Sequence, residues 1–243
     1  MSTFKTYVCI DDTDEIAYEK STGEIAEEIK KYIEEKFAPC SFVTRHQLFI
    51  HESIPYTSHN SSMCFITHLN EEQKDEVIEF IIKHLNTVCA PSSQPGLCIG
   101  FDKDIKDKEI LIQYGLDAKQ KVLTKENAYK MAELQNLHLS EHKNNGQGII
   151  GALAGVALRI YGNDGRVKGK IKTQKDYYTV SELLQYKEID IVQFEDGSIA
   201  KNDLIVETRS DLKMVYLNNN YVLLIEKDND IYKNISRENL KKY

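Results

Sequence analysis

Hydrophobic positions in the first two thirds of the chain alternate between two spacings, which predicts helices that alternate with strands. A compact run of β-type residues at 4–10 has the length and composition of a strand. Apolar residues that recur every four positions, as Ile25, Ile29 and Ile33 do, predict an amphipathic helix that begins near Ser21. Further segments with these patterns are the strands at 41–50, 63–66 and 97–100 and the helices at 71–88 and 124–137. We therefore expect an α+β fold in which mixed sheets pack against helices.

The pattern changes after residue 165. Short β-type runs then follow one another, and turn-forming residues at 195–197 and 218–220 separate them. These runs are 177–180, 189–192, 212–217 and 221–225. We expect two parts, an α+β region over 1–165 and a smaller, mainly β domain over 166–243.

Composition narrows the class of protein. The chain has 243 residues, of which 41% are hydrophobic and 28% charged, and its formal net charge is −7. No segment approaches the roughly 18 apolar residues that cross a membrane, and the N-terminus lacks a signal-peptide pattern. We therefore expect a cytoplasmic protein without a membrane partner, and the acidic balance argues mildly against a general nucleic-acid binder. The five cysteines form no Cys-x-x-Cys pair, so neither a zinc ribbon nor a disulfide framework is expected.

Three carboxylates directly after the first strand form the first candidate site. Asp11, Asp12 and Asp14 fall within four residues, and such closely spaced charges stay ionised most easily around a cation. Their hard oxygen ligands favour Mg²⁺, Ca²⁺ or Mn²⁺, and Mg²⁺ commonly combines one or two carboxylates with substrate phosphates. The sequence thus suggests a nucleotide-phosphate site, and an ordinary solvated acidic turn is about equally compatible with this spacing.

Three further segments, which are rich in hydroxyl, polar or glycine residues, could either stabilise the fold or bind a ligand. Ser21 or Thr22 could cap the first helix, with Glu24 completing a capping box after Ser21. The polar loop at 51–62 could present donors to a phosphate or sugar, or simply connect two strands. The glycine-rich stretch at 145–155 could open an anion-binding helix start or allow a buried helix to pack closely.

Three stretches together resemble the family of archaeal tRNA 2-agmatinylcytidine synthetases. Asp11-Asp12-Thr13-Asp14, followed by Ser21-Thr22, is similar to that family's Asp-Asp-Thr-Asp motif and its paired threonine segment. Residues 55–61 look like its Pro-Trp-Lys-Thr-Arg-Gly-Asn segment. Residues 148–154 look like its Gly-x-Ile-Gly-Ala-Leu-Ala segment. The order and approximate spacing agree, and the resemblance covers roughly residues 5–165.

The resemblance implies an ATP- and Mg²⁺-dependent phosphotransferase or synthetase-like enzyme that activates an acceptor by phosphorylation. It implies that Asp11, Asp12 and Asp14 hold Mg²⁺ and take part in catalysis. Thr22 would match the threonine that becomes phosphorylated in the family. The nucleotide-binding residues that it implies are Ser21, Asn60, Ser61, Gly146, Gly148, Gly151 and Ala152.

The departures from the family pattern leave two functions open. The family's Lys-Thr-Arg is replaced by Thr57, Ser58 and His59, so two cations are missing, for which Arg45 or Lys20 could substitute. The family's C-terminal nucleic-acid-binding modules have no counterpart, which together with the acidic charge argues against tRNA as substrate. We expect an enzyme with a nucleotide and an unidentified small-molecule or macromolecular acceptor as partners. The alternative is a non-catalytic nucleotide- or metal-binding regulatory protein, and a homodimer is compatible with either.

Overall fold

The computed structural model describes residues 2–16, 18–54, 60–209 and 211–243. The chain divides into two compact units, Met1–Tyr161 and Gly162–Tyr243. In the described ranges, no helix is both long and apolar enough to span a membrane.

The first unit is built around an antiparallel sheet. Its first six elements are β1 (Phe4–Asp11), α1 (Thr22–Lys36), β2 (Thr44–Gln47), β3 (Ser61–Leu69), α2 (Gln73–Val88) and β4 (Gly96–Phe101). The strand order is β4-β1-β3-β2, and every neighbouring pair is antiparallel. This β-α-β-β-α-β connectivity with its order of strands is the ferredoxin-like arrangement.

Four further elements complete the first unit: α3 (Lys108–Ala118), α4 (Lys125–Leu134), β5 (His138–Glu141) and α5 (Gly148–Tyr161). Strand β5 extends the sheet by pairing with β4. Because side chains alternate along a strand, β1 contributes to both faces of the sheet. Val8 and Ile10 pack with the apolar faces of α1 and α2. Tyr7 and Cys9 pack with α3 and α5 on the other face, where α5 is almost completely buried.

The structure confirms the predicted α+β class, shortens one predicted strand and adds a helix that the sequence did not predict. The predicted strand at 41–50 is only Thr44–Gln47, because the flanking backbone bonds elsewhere: Phe49 N–H donates to the Ala118 carbonyl at 3.0 Å. Helix α3 is the helix that the sequence did not predict. It contains Gly115, where a β-carbon would lie 2.8 Å from the Ala157 Cβ of α5, so close packing sets its composition.

Strands are the main regular elements of the second unit over its described residues. Its elements are β6 (Arg166–Val167), β7 (Tyr177–Thr179), α6 (Val180–Leu183), β8 (Ile191–Phe194), β9 (Ile205–Glu207), β10 (Val215–Leu217), β11 (Asn220–Asp228), β12 (Ile231–Asn234) and a 3₁₀ turn (Asn239–Lys242). The strand order is β6-β10-β11-β12-β9-β7, and β8 pairs in parallel with β11. Val215, Val222 and Leu224 lie in its core.

Candidate active site at the end of the first strand

The acidic loop turns back from the end of β1 to the start of α1. Asp11 is the last residue of β1, and Asp12 takes a left-handed conformation with φ 53°. The Asp12 N–H donates to the Asp11 Oδ1 at 2.8 Å. Asp14 Oδ2 accepts a 3.0 Å hydrogen bond from the N–H of Thr22. The structure therefore joins the acidic loop to the start of α1 through Asp14.

Burial and mutual repulsion disfavour the charged forms of the carboxylates at this point. Burial raises the pKa of Asp11 to about 8; the charges of Asp12 and Asp14 act in the same direction, and the Asp12 N–H opposes them. Burial, followed by the charge of Asp14, raises the pKa of Asp12 to about 6, against a hydrogen bond from the Gln94 N–H. Both carboxylates therefore resist ionisation on their own. A cation at the loop would favour their charged forms.

Ser21 and Thr22 have different roles in the helix start. Ser21 is the N-cap: its hydroxyl accepts from the Glu24 N–H at 3.3 Å, and the Glu24 carboxylate accepts from the Ser21 N–H at 2.8 Å. Thr22 is the first helical residue, and it is buried. Its hydroxyl makes no hydrogen bond to any residue that the structure describes. Capping thus belongs to Ser21, whereas Thr22 contacts the acidic loop through its backbone N–H.

Two polar atoms that sequence reasoning missed are buried at this loop. Thr13 Oγ1 and Gln94 Oε1 are inaccessible to solvent and have no hydrogen-bond partner among the described residues. A buried polar atom without a partner costs free energy, so such atoms suggest a ligand. The signal for Thr13 was its place inside the Asp-Asp-Thr-Asp motif. Gln94 had no comparable signal, because only folding brings the 90–96 loop beside Asp12.

The glycines of α5 allow the helix to pack directly on β1. A β-carbon at Gly151 would overlap the Asp11 Oδ2, one at Gly148 would lie 2.6 Å from the Asp11 carbonyl oxygen, and one at Gly155 would overlap Cys9 Sγ. The Gly148 N–H already donates to the Gln94 carbonyl at 2.9 Å. Ala152 is fully buried. The close-packing role is therefore visible, and nucleotide binding by Gly148, Gly151 and Ala152 stays a prediction.

The remaining predicted residues lie on adjoining loops. Gly146, with φ 56°, belongs to the loop before α5. Asn60 and Ser61 lie where β3 begins, at the same end of the sheet as Asp11 because β1 and β3 are antiparallel. The Asn60 amide donates to the Phe49 carbonyl at 2.7 Å, and the Ser61 hydroxyl accepts from Arg45 Nε at 2.8 Å.

The two possible substitutes for the missing cations are both located. Arg45 contacts Ser61, and Lys20 pairs with Glu28 at 2.6 Å on the surface of α1. Residues 55–59, the greater part of the second family-like stretch, lie outside the described residues.

The acidic loop is not a preformed all-protein metal cage. Within the residues that the structure describes, no group of three or more His, Cys, Asp or Glu side chains could hold a metal ion. Mg²⁺, however, is commonly held by one or two carboxylates, with water and phosphate oxygens completing its shell. Asp11, which is buried, and Asp12, which is half-buried, are both hard to ionise alone and fit that second arrangement.

The fold and site together define an α+β protein that carries an acidic loop at the C-terminal end of a central strand of a ferredoxin-like sheet. No protein-family model and no curated protein matches the sequence. Among solved structures, the chain is similar to TiaS, a tRNA agmatidine synthetase, in complex with an isoleucine tRNA and ATP, with 17% identity and a TM-score of 0.56 over 82% of this chain and 50% of that one. The TiaS complex with the same tRNA, AMPCPP and agmatine gives 16% identity and a TM-score of 0.54, over 88% of this chain and 54% of that one.

A tRNA fluorescent labeling enzyme is also similar, with 21% identity and a TM-score of 0.53 over 63% of this chain and 36% of that one. The chain thus spans about a third to a half of the solved chains it matches. At these identities the likeness establishes a shared fold. It confirms the resemblance to a synthetase catalytic core at the level of the fold.

Proposed function

We propose that the protein is an ATP- and Mg²⁺-dependent phosphotransferase or synthetase-like enzyme that activates an acceptor by phosphorylation. The observation that carries this proposal is the convergence of Asp11, Asp12 and Asp14 with Thr22 at one end of β1. The shared fold with an enzyme solved in complex with ATP supports the choice of nucleotide.

Each residue has a proposed role. Asp11, Asp12 and Asp14 would hold Mg²⁺, which when bound neutralises phosphate charge and favours transfer. Thr22 lies at the start of α1, where the helix dipole favours negative charge. Its hydroxyl would either accept the phosphoryl group or hydrogen-bond to it. Thr13 Oγ1 and Gln94 Oε1, buried without partners in the described ranges, would find polar partners in a bound nucleotide or its water.

The residues of the site say least about the acceptor, the molecule that would receive the phosphoryl group. TiaS was solved with an isoleucine tRNA and with agmatine, so both a macromolecule and a small amine are bound by a protein of this fold. For the present chain we propose a nucleotide together with an acceptor that receives phosphate before an attacking group displaces it.

Incubation with ATP and Mg²⁺, followed by intact mass measurement, tests the proposal. We expect the wild type to gain a phosphoryl group or to turn over ATP, and Thr22→Ala to lose this activity by orders of magnitude. Thr22→Ser should retain much of it, because it keeps the hydroxyl. Asp11→Asn should weaken Mg²⁺-dependent ATP binding.

Thr124→Ala is the matched control, because Thr124 caps α4 through hydrogen bonds to Asn127 of the same helix. It should lose stability and keep the activity. Full turnover by Thr22→Ala would show that Thr22 has no catalytic role. ATP binding by the wild type with neither turnover nor phosphorylation would favour the regulatory alternative.

A further inference from the structure

The loop between β5 and α5 is bonded along its length to the loop that carries Gln94. The His142 N–H donates to the Pro95 carbonyl at 2.8 Å. The Asn144 amide donates to the carbonyls of Pro91 at 3.0 Å and Ser93 at 2.7 Å. Since Gln94 also contacts Asp12 through its N–H, these bonds place the 142–148 loop beside the acidic site.

Unfavourable backbone conformations accumulate at this junction. Lys143 and Asn144 have φ values of 54° and 43°, and Asp12 has φ 53°. Non-glycine residues rarely occupy this left-handed region. Such conformations persist where the surrounding structure imposes them, often at ligand sites. Here the hydrogen bonds of Asn144 hold Lys143 in an orientation that its backbone alone does not favour.

The Lys143 ammonium contacts a backbone carbonyl. Its Nζ donates to the Cys89 carbonyl oxygen at 2.6 Å, directly after the end of α2. Lys143 and the carboxylates of Asp12 and Asp14 all act on the Cys89 thiol: burial raises its pKa to about 12, Lys143 lowers it, and the two aspartates raise it further. The ammonium is therefore held at Cys89, directly before Ala90 in the chain.

A second observation indicates that a ligand binds here. Thr13 is fully buried, and its hydroxyl oxygen has no hydrogen-bond partner among the described residues. Thr13 also accepts a hydrogen bond from the Ala90 N–H through its carbonyl, so the same loop adjoins the segment that Lys143 contacts. Carboxylates in the acidic loop and an ammonium on the adjoining segment are together the charges that a metal-bound phosphate chain requires.

We propose that Lys143 is a phosphate-contacting residue that selects nucleotides with a phosphate chain. Its ammonium would exchange the neutral Cys89 carbonyl for an anionic phosphate oxygen, which forms the stronger, charge-assisted bond. The flexible lysine side chain permits this shift. The inference rests on the proposed nucleotide function and names a specificity determinant for it.

A purely structural role for Lys143 gives a different expectation. A cation near a helix C-terminus stabilises the helix through its carbonyls and dipole. If Lys143 only stabilised the end of α2, its loss would lower the stability of the protein without changing its preference among nucleotides.

The test compares ATP and AMP binding, with Mg²⁺ present, in the full-length wild type, Lys143→Gln, Lys143→Arg and Lys31→Gln. Lys31→Gln removes the same charge from an exposed position on α1 and is the matched control. We expect Lys143→Gln to weaken ATP binding about tenfold, as for loss of one charged hydrogen bond, and to leave AMP binding within about twofold. Lys143→Arg should retain most of the ATP affinity.

Thermal unfolding of each variant without nucleotide separates folding from binding. If Lys143→Gln lost ATP and AMP affinity equally, or lost neither, the inference about Lys143 would be overturned. The proposed nucleotide function would still stand in that case, provided that the wild type binds ATP. If the wild type bound neither nucleotide, both proposals would fail.

Discussion

Asp11 is the last residue of the central strand β1, and its side chain is packed against α5. Its carboxylate is buried, it accepts from the Asp12 N–H, and Gly151 leaves the space that it occupies. In the unliganded protein these surroundings favour the protonated form. A bound cation would reverse this preference, so the stability of the protein should report on occupancy of the site.

The pH dependence of stability tests this description of Asp11. Its folded pKa, about 8, lies above an unfolded value of roughly 4, so its contribution is fully present below pH 4 and is lost as pH rises through 8. With a chelator present, we expect the free energy of unfolding to fall over this window by at most about 1.4 kcal/mol per pH unit from this group. Asp12 should add to the fall up to about pH 6.

Chemical denaturation of wild type, Asp11→Asn and Asp203→Asn at several pH values provides the measurement. Asp11→Asn should flatten the profile, whereas Asp203→Asn, at an exposed position, should leave it unchanged. Saturating Mg²⁺ with ATP should reduce the loss of stability toward pH 8. Parallel profiles for wild type and Asp11→Asn would contradict the burial argument.

At the scale of elements, α1 and α4 begin with the same chemistry. Ser21 with Glu24 and Thr124 with Asn127 both form complete capping boxes. They differ in surroundings, because α1 starts beside the acidic loop through the bond from Thr22 to Asp14. Comparing variants of the two helix caps, Ser21 and Thr124, therefore distinguishes an effect on capping from an effect on nucleotide binding.

We expect Ser21→Ala and Thr124→Ala each to lower the free energy of unfolding by about 0.5–2 kcal/mol. If Ser21 also binds nucleotide, Ser21→Ala alone should weaken ATP binding. Calorimetric titration and denaturation of both variants provide the comparison. Indistinguishable ATP affinities would assign Ser21 to the cap alone.

At the scale of the molecule, the charge is divided unequally between the two units. Residues 1–161 contain 24 acidic and 17 basic residues, whereas residues 162–243 contain 14 of each. The entire formal charge of −7 therefore belongs to the first unit. The charge argument against tRNA as a partner applies to the first unit and not to the second.

The two compact units also suggest that the nucleotide site does not need the second one. Asp11, Thr22, Gln94 and Lys143 all belong to Met1–Tyr161, which has its own core on both faces of its sheet. We propose that residues 1–161 fold alone. A chain truncated after Tyr161 should unfold cooperatively and bind ATP within about threefold of the full chain, a difference below about 1 kcal/mol. A non-cooperative transition, measured by circular dichroism, would show that the first unit depends on the second.

Local sequence determined the features that depend on neighbouring residues. The periodicity of Ile25, Ile29 and Ile33 predicted the buried face of α1, and Ser21 with Glu24 predicted its cap. The acidic motif after β1 was equally visible, because a strand end and a helix start joined by a short loop must lie close together.

Only the tertiary structure decided which distant segments meet at that motif. Gln94 and Lys143 reach the acidic loop because β4 pairs with β1 and the 142–148 loop bonds to the 90–96 loop. From the sequence, the glycines of α5 could either bind an anion or allow close packing. The structure shows the close packing, because α5 lies directly on β1. Local patterns follow from hydrogen bonds and side-chain spacing within a few residues, whereas strand pairing and layer packing join positions far apart in the chain.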